Sequence, residues 1–316
     1  MKKISIMVPC YNEEENVVPM SEALVKQLEA LPEYDYEILF IDNCSQDNTR
    51  ALLREICEKN KKIRAIFNSK NFGQFNSPYH GLCQTTGDCT ISVCCDFQDP
   101  VEMIPKFIEE WEKGYKIVIG LKTSSKENKL MYLLRSIYYK MIRKMSKVEQ
   151  IEHFTGFGLY DKSFIKTLRE LKDPTPFLRG IVAELGPKIQ RIEYEQAKRR
   201  AGKTSNNFFS LYDAAMLSFT SYTKTVMRAS SFIGMFMCAG SVIGAAVCAV
   251  LKILSLTGVI GVALLTGPLA PILLTLVFIG GMQMFFIGFL GEYIMSMNAR
   301  IMNRPLVVEE ERINFD

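Results

Sequence analysis

The sequence lacks the features that mark several common classes of protein. Its 316 residues include no C-x-x-C pair and only two histidines, His80 and His153, so the nine cysteines favour reduced thiols over a zinc site. No G-x-G-x-x-G or Walker loop is present to cradle a phosphate. A net charge of +4 gives little support to nucleic-acid binding. A phosphate-bearing ligand would therefore need a metal ion and basic side chains.

Charge is also missing from two long stretches near the carboxyl terminus. Residues 229–251 are uncharged, which exceeds the ~20 residues that a helix needs to cross a bilayer. Residues 253–290 are uncharged as well, and Pro268 and Pro271 predict that a helix begins near residue 268. We therefore predict transmembrane helices at about 229–251 and 268–291, although a buried hairpin in a soluble core is the alternative. Basic residues flank the pair and are absent from its turn, which predicts cytoplasmic termini.

Two amphipathic segments precede these stretches. Residues 129–147 contain six basic and no acidic residues, with apolar residues at helical spacing between them. Residues 206–228 form the second segment and end in Lys224 and Arg228. An ordinary surface helix has the same pattern, but the neighbouring uncharged stretches favour juxtamembrane helices that lie against anionic lipid headgroups.

The first 122 residues alternate short β-branched runs with amphipathic stretches of helical length. This pattern predicts an α/β fold with a mostly parallel, Rossmann-like sheet. The predicted strands are residues 4–8, 36–41, 63–67, 90–95 and 117–120, and the predicted helices are residues 13–31, 48–59, 75–85 and 101–113. Ligands of such sheets bind beyond the carboxyl ends of the strands, so polar residues at those ends are the candidates for a site.

Polar side chains follow three of the predicted strands. Glu13 and Asp42 can accept hydrogen bonds from a nucleobase or a ribose, although strand-to-helix turns use the same residue types. Asp96 and Gln98 lie two positions apart, so they project to one side if the chain is still extended. Two oxygen ligands, with water and phosphate completing the shell, suit Mg²⁺ or Mn²⁺. A capped turn is the structural alternative for this segment.

Seven short motifs follow one another along the chain. They are Pro9-x-Tyr11-Asn12-Glu13, Asp42-Asn43-x-Ser45-x-Asp47-x-Thr49, Asn71-Phe72-Gly73, Asp96-Phe97-Gln98-Asp99-Pro100, Phe177-Leu178-Arg179-Gly180, Arg200-Ala201-Gly202-Lys203-Thr204, and Gly288-x-x-Gly291-Glu292-Tyr293 with Arg304-Pro305-Leu306. In this order they resemble the motifs of family-two polyprenyl-phosphate glycosyltransferases of the GT-A fold, over essentially the whole chain. Bactoprenol glucosyltransferases and dolichyl-phosphate mannose synthases belong to this group, and the last motif resembles the bactoprenol branch.

The resemblance implies a domain organisation and an activity. Residues 1–205 would form a cytoplasmic GT-A domain, 206–228 the juxtamembrane segment, 229–291 two transmembrane helices and 292–316 a cytoplasmic tail. The enzyme would transfer a hexose with inversion from a nucleotide sugar, UDP-glucose in the first instance, to undecaprenyl phosphate at the cytoplasmic membrane. It would use Mg²⁺ or Mn²⁺, and a homo-oligomer is plausible. A GDP-mannose-using enzyme and a donor-binding scaffold without catalysis are the alternatives.

The resemblance also assigns roles to individual side chains. The residues that would contact the nucleotide sugar are Pro9, Tyr11, Glu13, Asp42, Asn71 and Lys122. Asp96 and Gln98 would bind the metal ion. The residues that would bind the diphosphate or the lipid phosphate are Arg135, Arg179, Arg200 and Lys203. Asp96, Arg179 and Lys203 would be the catalytic residues.

Three positions depart from the family pattern. Cys94 stands at the first acid of the D-x-D motif, and Asn43-Cys44 replaces the usual Asp-Gly after Asp42. Gly156 stands where relatives carry an aspartate. A lipid phosphate is already anionic and needs cations to place it, not a base to deprotonate it. We therefore expect no general base at residues 155–159.

Overall fold

A computed structural model describes most of the amino-terminal part of the chain and a smaller share of the rest. The described residues are 1–123, 151–197, 199–201, 216–217, 232–234, 236, 240, 243, 250, 269–302 and 304–315. The chain divides into two compact units, one formed by residues 1–218 and 299–316 and the other by residues 219–298.

Eight strands and seven α-helices are defined within the described residues. In chain order they are β1 (Lys2–Cys10), α1 (Val17–Glu29), β2 (Tyr34–Asp42), α2 (Thr49–Lys59), β3 (Ile63–Asn68), α3 (Gly73–Gln84), β4 (Cys89–Ser92), α4 (Ile104–Glu112) after a 3-10 turn at Val101–Met103, β5 (Ile117–Lys122), β6 (Phe154–Asp161), α5 (Lys162–Leu171), α6 (Leu178–Leu185), β7 (Ile189–Tyr194), α7 (Leu269–Met302) and β8 (Glu309–Ile313). The first nine match the predicted strands and helices in type and order.

The strands form one sheet in the order β7-β5-β6-β4-β1-β2-β3-β8. Strands β1 to β4 are parallel to one another, and β5 pairs in parallel with β7. Only β6 and β8 run against their described neighbours. The predicted α/β fold with a mostly parallel sheet is therefore confirmed.

Helices cover both faces of this sheet because its central strands are apolar on both sides. Alternate residues of β1 point to opposite faces. Ile6 and Val8 belong to a buried cluster that includes Leu24 of α1. Met7 belongs to a second buried cluster, which includes Tyr79 of α3. The two clusters fix the sheet between two helical layers, so its carboxyl edge holds the loops in defined positions.

The end of the chain returns to this sheet. Strand β8 pairs antiparallel with β3, with Ala65 opposite Ile313 and Phe67 opposite Glu311. The backbone N–H of Ser69 donates to the carbonyl of Val308 at 3.0 Å. The segment predicted only as a tail, residues 292–316, thus contains the end of α7 and an edge strand of the eight-stranded sheet.

One helix in the described part of the chain is long and apolar enough to span a membrane. Its apolar portion is Phe278–Met302, in which the most apolar 18-residue window has a mean hydropathy of 1.3 and is not buried. Helix α7 continues to Met302, beyond residue 291 where the sequence predicted its end. Most of the other predicted span, 229–251, lies outside the described residues, as do the turn at 255–267, the segment 129–147 and all but two residues of 206–228.

Candidate active site

The loops that follow β1 and β2 are bound to each other at the carboxyl edge of the sheet. Cys10 and Asp42, the last residues of the two strands, are partners in the ladder. Beyond them, the N–H of Asn12 donates to the Ser45 hydroxyl at 2.8 Å, and the N–H of Glu13 donates to the Thr49 hydroxyl at 2.9 Å. These bonds place Glu13 and Asp42 at one edge, as the sequence predicted.

Asp42 is fully buried at the end of β2. Its carboxylate accepts the N–H of Ser45 at 3.2 Å and lies 3.4 Å from the Nε of Arg50 on α2. Burial raises the pKa of the Asp42 carboxyl, and the contacts with Ser45 and Arg50 act against that rise. The site therefore holds a desolvated acceptor whose charged form is stabilised by hydrogen bonds from Ser45 and by the Arg50 guanidinium.

Asn43 connects the Asp42 loop to the start of α3. Its amide nitrogen donates to the side-chain oxygen of Asn71 at 2.9 Å, and its amide oxygen accepts from the N–H of Phe72 at 2.9 Å. Asn71 also accepts the N–H of Gly73 at 2.8 Å. Asn71, a predicted contact to the nucleotide sugar, thus shapes the turn that lies beside the Asp42 loop.

Asp96 and Gln98 come together in a turn and not on an extended strand. Strand β4 ends at Ser92, and Phe97 has a left-handed backbone with φ of 60°. The N–H of Gln98 donates to the Asp96 carboxylate at 3.1 Å, which closes a turn around that side chain. The chain is therefore no longer extended at these residues, and the structure has the turn that the sequence left open as the alternative. The predicted pair nonetheless shares one loop at the same sheet edge.

Arg199 links the two acidic positions of this edge. Its Nη2 donates to Glu13 Oε1 at 2.7 Å, and its Nε lies 3.3 Å from Asp96 Oδ2. The Asp96 carbonyl accepts the N–H of Arg200 at 3.2 Å, and the Arg200 guanidinium lies over the Phe97 ring at 5.3 Å. The structure therefore brings a second arginine into the site besides the predicted Arg200.

The Glu13 carboxylate is held from both sides. Asn16 donates to its Oε2 at 2.6 Å, opposite the contact with Arg199. Burial raises the pKa of the Glu13 carboxyl, and both partners counteract that effect. Asn16 also donates to the carbonyl of Ala201 at 3.3 Å. Residues 199–201 are thereby attached to the loop after β1.

Asp99 lies beneath this site and was not assigned a role from the sequence. It is 3% exposed, accepts the N–H of Cys94 at 3.1 Å and accepts the Tyr194 hydroxyl at 3.0 Å. Burial raises the pKa of its carboxyl to about 6. Asp99 therefore fixes the backbone at Cys94, where the family pattern has an acid, to the end of β7.

The remaining predicted residues lie on separate elements. Pro9 is within β1 opposite Ile41, and Tyr11 is partly exposed in the loop that follows. Lys122 ends β5, and its N–H donates to the carbonyl of His153 at 3.3 Å. Pro9, Tyr11 and Lys122 thus lie at the carboxyl ends of their strands, and their roles stay predictions.

The predicted cations are described only in part. Arg179 lies in α6 with its guanidinium 4.9 Å from the centre of the Phe177 ring. Arg135 and Lys203 lie outside the described residues, so their predicted roles stay predictions. Gly156, in β6, has φ of +109°, and among the described residues other than its chain neighbours no atom lies within 4 Å of the place where a Cβ would be.

Comparison with known proteins gives the class of this chain. Residues 5–169 match the profile described as glycosyl transferase family 2. The prophage bactoprenol glucosyl transferase homolog of Escherichia coli (strain K12) is 30% identical over 96% of this chain and 97% of its own. The bactoprenol glucosyl transferase of Shigella phage SfX is 29% identical over 98% and 99%.

Another bacterial relative is similar over most of its own length. The putative glycosyltransferase CsbB of Bacillus subtilis (strain 168) is 29% identical over 96% of this chain and 89% of its own. The fold is a GT-A-like α/β fold with a mostly parallel sheet, and the candidate site lies at the carboxyl edge of that sheet. The chain belongs to glycosyl transferase family 2 and is a glycosyltransferase.

Proposed function

We propose that this enzyme transfers a hexose from a nucleoside-diphosphate sugar, with UDP-glucose as the first candidate, to undecaprenyl phosphate at the cytoplasmic face of the membrane. The observation that carries the proposal is the contact of Arg199 with both Glu13 and Asp96. Glu13 is suited to bind a nucleoside and Asp96 is suited to hold a metal-bound diphosphate. Arg199 therefore connects the residues proposed for the two parts of the donor. Similarity to bactoprenol glucosyl transferases over almost the whole chain supports the choice of acceptor.

The nucleoside binds at the end formed by the loops after β1 and β2. Asp42 and Glu13 are buried acceptors there, and each can accept a base N–H or a ribose hydroxyl. Their acceptor atoms are fixed before a ligand arrives, because Ser45, Arg50, Asn16 and Arg199 already hold them. A preformed polar end of this kind selects a ligand by hydrogen bonds at little cost in ordering.

The diphosphate binds near Asp96 and Gln98, and these residues fit a Mg²⁺ or Mn²⁺ ion. No group of three or more His, Cys, Asp or Glu side chains in the described part of the chain is arranged to hold a metal ion. Asp96 and Gln98 instead supply two hard oxygen ligands, which suffices where phosphate oxygens and water complete the shell. When bound, the ion neutralises charge on the departing diphosphate. Arg199 supplies positive charge beside the same carboxylate.

The acceptor phosphate attacks the anomeric carbon directly and inverts it. Cationic side chains place it, and the candidates are Arg179, Arg200 and the predicted Arg135 and Lys203. Arg200 is suited to this task because its backbone is bound to Asp96 and its guanidinium lies on Phe97. Gly156 offers no carboxylate that could act as a base, in keeping with an acceptor that is already ionised.

The membrane topology that we propose is a hairpin of two spans with both termini in the cytoplasm. Strand β8 pairs with β3, so the end of the chain lies on the same side of the membrane as the sheet. A chain that leaves this unit and returns to it crosses the membrane an even number of times. Because α7 is one apolar span, this pairing supports a second span between residues 219 and 268, where the sequence predicts one.

Transfer from radiolabelled UDP-glucose to undecaprenyl phosphate by the full-length protein in liposomes tests the proposal. We expect a lipid-linked hexose with inverted configuration, formed only with a divalent cation. GDP-mannose in a parallel reaction tests the mannose-transferring alternative. Nucleotide binding without transfer from any donor would identify a scaffold and overturn the proposal. Retention of the anomeric configuration would overturn direct attack by the phosphate.

A further inference from the structure

Arg50 lies between the buried Asp42 and the last strand of the chain. Its Nε is 3.4 Å from Asp42 Oδ2, and its Nη2 donates to Glu310 Oε2 of β8 at 2.7 Å. Arg50 and Glu310 are 260 residues apart in sequence. One guanidinium therefore contacts both the proposed nucleoside-binding carboxylate and the carboxyl-terminal strand.

The position of Arg50 in its helix is electrostatically unfavourable unless an anion lies nearby. Arg50 is the second residue of α2, and a cation in the first turn of a helix opposes the helix dipole. Its guanidinium lies 5.1 Å from the centre of the Phe67 ring, and its side chain is only 20% exposed. The side chain thus lies along the sheet edge instead of extending into water, and Asp42 and Glu310 are the two anions that it meets there.

Asp42 depends on this arginine more than an exposed acid would. Asp42 is fully buried, and a carboxylate in that setting keeps its charge only through hydrogen bonds and a nearby cation. Ser45 supplies the hydrogen bond and Arg50 supplies the cation. A guanidinium that is free to swing away would leave the carboxylate without its counter-charge, so a second anchor for Arg50 matters to the site.

We propose that β8 is a positioning element of the donor site, in which Glu310 holds the Arg50 guanidinium against Asp42 and so keeps that carboxylate charged and oriented for the nucleoside. Arg50 and Glu310 are positioning residues, because they act through Asp42. The inference rests on the proposed function in one respect, the assignment of Asp42 to the donor. Strand β8 then has a role in donor binding, in addition to covering the open edge of the sheet beside β3.

A neighbouring pair provides a matched control. Arg54, one turn further along α2, lies 4.8 Å from the centre of the same Phe67 ring and pairs with Glu311 of β8 at 2.7 Å. Within the described residues, Arg54 forms its ion pair with Glu311 and not with Asp42. The two pairs therefore connect the same helix to the same strand, and they differ in their contact with the buried carboxylate.

The test compares Glu310→Gln with Glu311→Gln in the full-length enzyme. We measure KM and kcat for the nucleotide sugar, and the Kd of UDP by calorimetry. Glu310→Gln should raise KM and Kd about three- to fivefold, the effect of losing one exposed ion pair, with kcat nearly unchanged. Glu311→Gln should change KM and Kd by less than about 1.5-fold, while the two variants lose similar amounts of thermal stability.

Two further variants separate positioning from a structural role. Arg50→Lys keeps the charge but not the fork that spans two carboxylates, so it should raise KM as Glu310→Gln does. In an Asp42→Asn background, Glu310→Gln should add almost nothing, because its effect passes through Asp42. Equal effects of Glu310→Gln and Glu311→Gln on KM, or an effect on kcat alone, would overturn the inference. Wild-type protein that binds no nucleotide would overturn the proposed function together with this inference.

Discussion

Asp42 and Asp96 belong to the same edge of the sheet, but their surroundings are built differently. Asp42 ends a strand, is fully buried and is held by Ser45 and Arg50 from the adjoining loop and helix. Asp96 lies in a turn beyond its strand, is 8% exposed and pairs with Arg199 from a segment beyond β7. The direct partners of Asp42 thus come from neighbouring segments of the chain, whereas the direct partner of Asp96 comes from a segment far along the chain. Substitutions at the two positions should therefore have different effects.

The largest effect is expected for Asp96→Asn. The amide keeps the shape of the side chain but loses the charge that holds a divalent cation and pairs with Arg199. We expect transfer to fall by about 10²–10³-fold with thermal stability nearly unchanged, because the loss concerns charge in the transition state. The fall is measured by comparing initial transfer rates of the variant and the wild type with Mg²⁺, with Mn²⁺ and with chelator. Full activity of the variant in chelator would remove Asp96 from the diphosphate site.

Arg199→Ala should have the next largest effect. Its loss leaves Glu13 and Asp96 without a shared cation, so we expect kcat/KM to fall by about 30-fold or more. Arg199→Lys tests whether charge alone suffices, because one ammonium cannot reproduce the two contacts of the guanidinium.

Arg200→Ala is the matched comparison for the same segment. Arg200 places its guanidinium over Phe97 and not between the two acids, so its removal should spare UDP binding and lower the rate with the lipid acceptor. The separate dependence of the rate on donor and acceptor concentrations measures this difference. Equal loss of donor affinity in both variants would show that the two arginines do not divide the roles.

Asp42→Asn should have a smaller effect, confined to donor binding. An asparagine at this buried position can still accept one hydrogen bond but no longer attracts Arg50. We expect the KM for the nucleotide sugar to rise about tenfold with kcat within about twofold, since the nucleoside is bound equally in ground and transition states. A fall in kcat without a change in KM would place Asp42 at the reacting centre.

The sequence predicted the parts of this fold that depend on local pattern. The apolar runs of β1 and β2 are buried almost throughout, so the sequence pattern identified them as strands. Asp42 was identified as a candidate because it directly ends β2. Asp96 and Gln98 were found as candidates by residue type, but the sequence left open whether the chain is extended or turned there, and a left-handed residue, Phe97, turns it. Local sequence pattern does not determine such a turn unless glycine or asparagine marks it.

Two features were missed because they depend on distant contacts. Arg199 and Arg200 are adjacent, and only their tertiary partners decide which one meets the acids. Strand β8 contains three consecutive glutamates, a pattern typical of a solvated surface. Arg50 and Arg54 of α2 offset two of those charges, and their positions are set by the packing of the helix on the sheet. The opposite charges of α2 and β8 are visible in the sequence, but neither segment alone indicates that the two pair with each other.

The smallest effect on rate is expected at Gly156, which offers no carboxylate. Gly156 has φ of +109°, a conformation that strains any residue with a Cβ, although among the described residues other than its chain neighbours no atom lies within 4 Å of the place where a Cβ would be. Gly156→Asp should therefore destabilise the fold by about 1–2 kcal/mol without raising kcat, because an anionic phosphate needs no base. Gly156→Ala is the matched control, since it introduces the same strain without a charge. Thermal unfolding and kcat are measured for both variants. A rate gain in Gly156→Asp that Gly156→Ala lacks would show that the acceptor must lose a proton, which would contradict direct attack by an ionised phosphate.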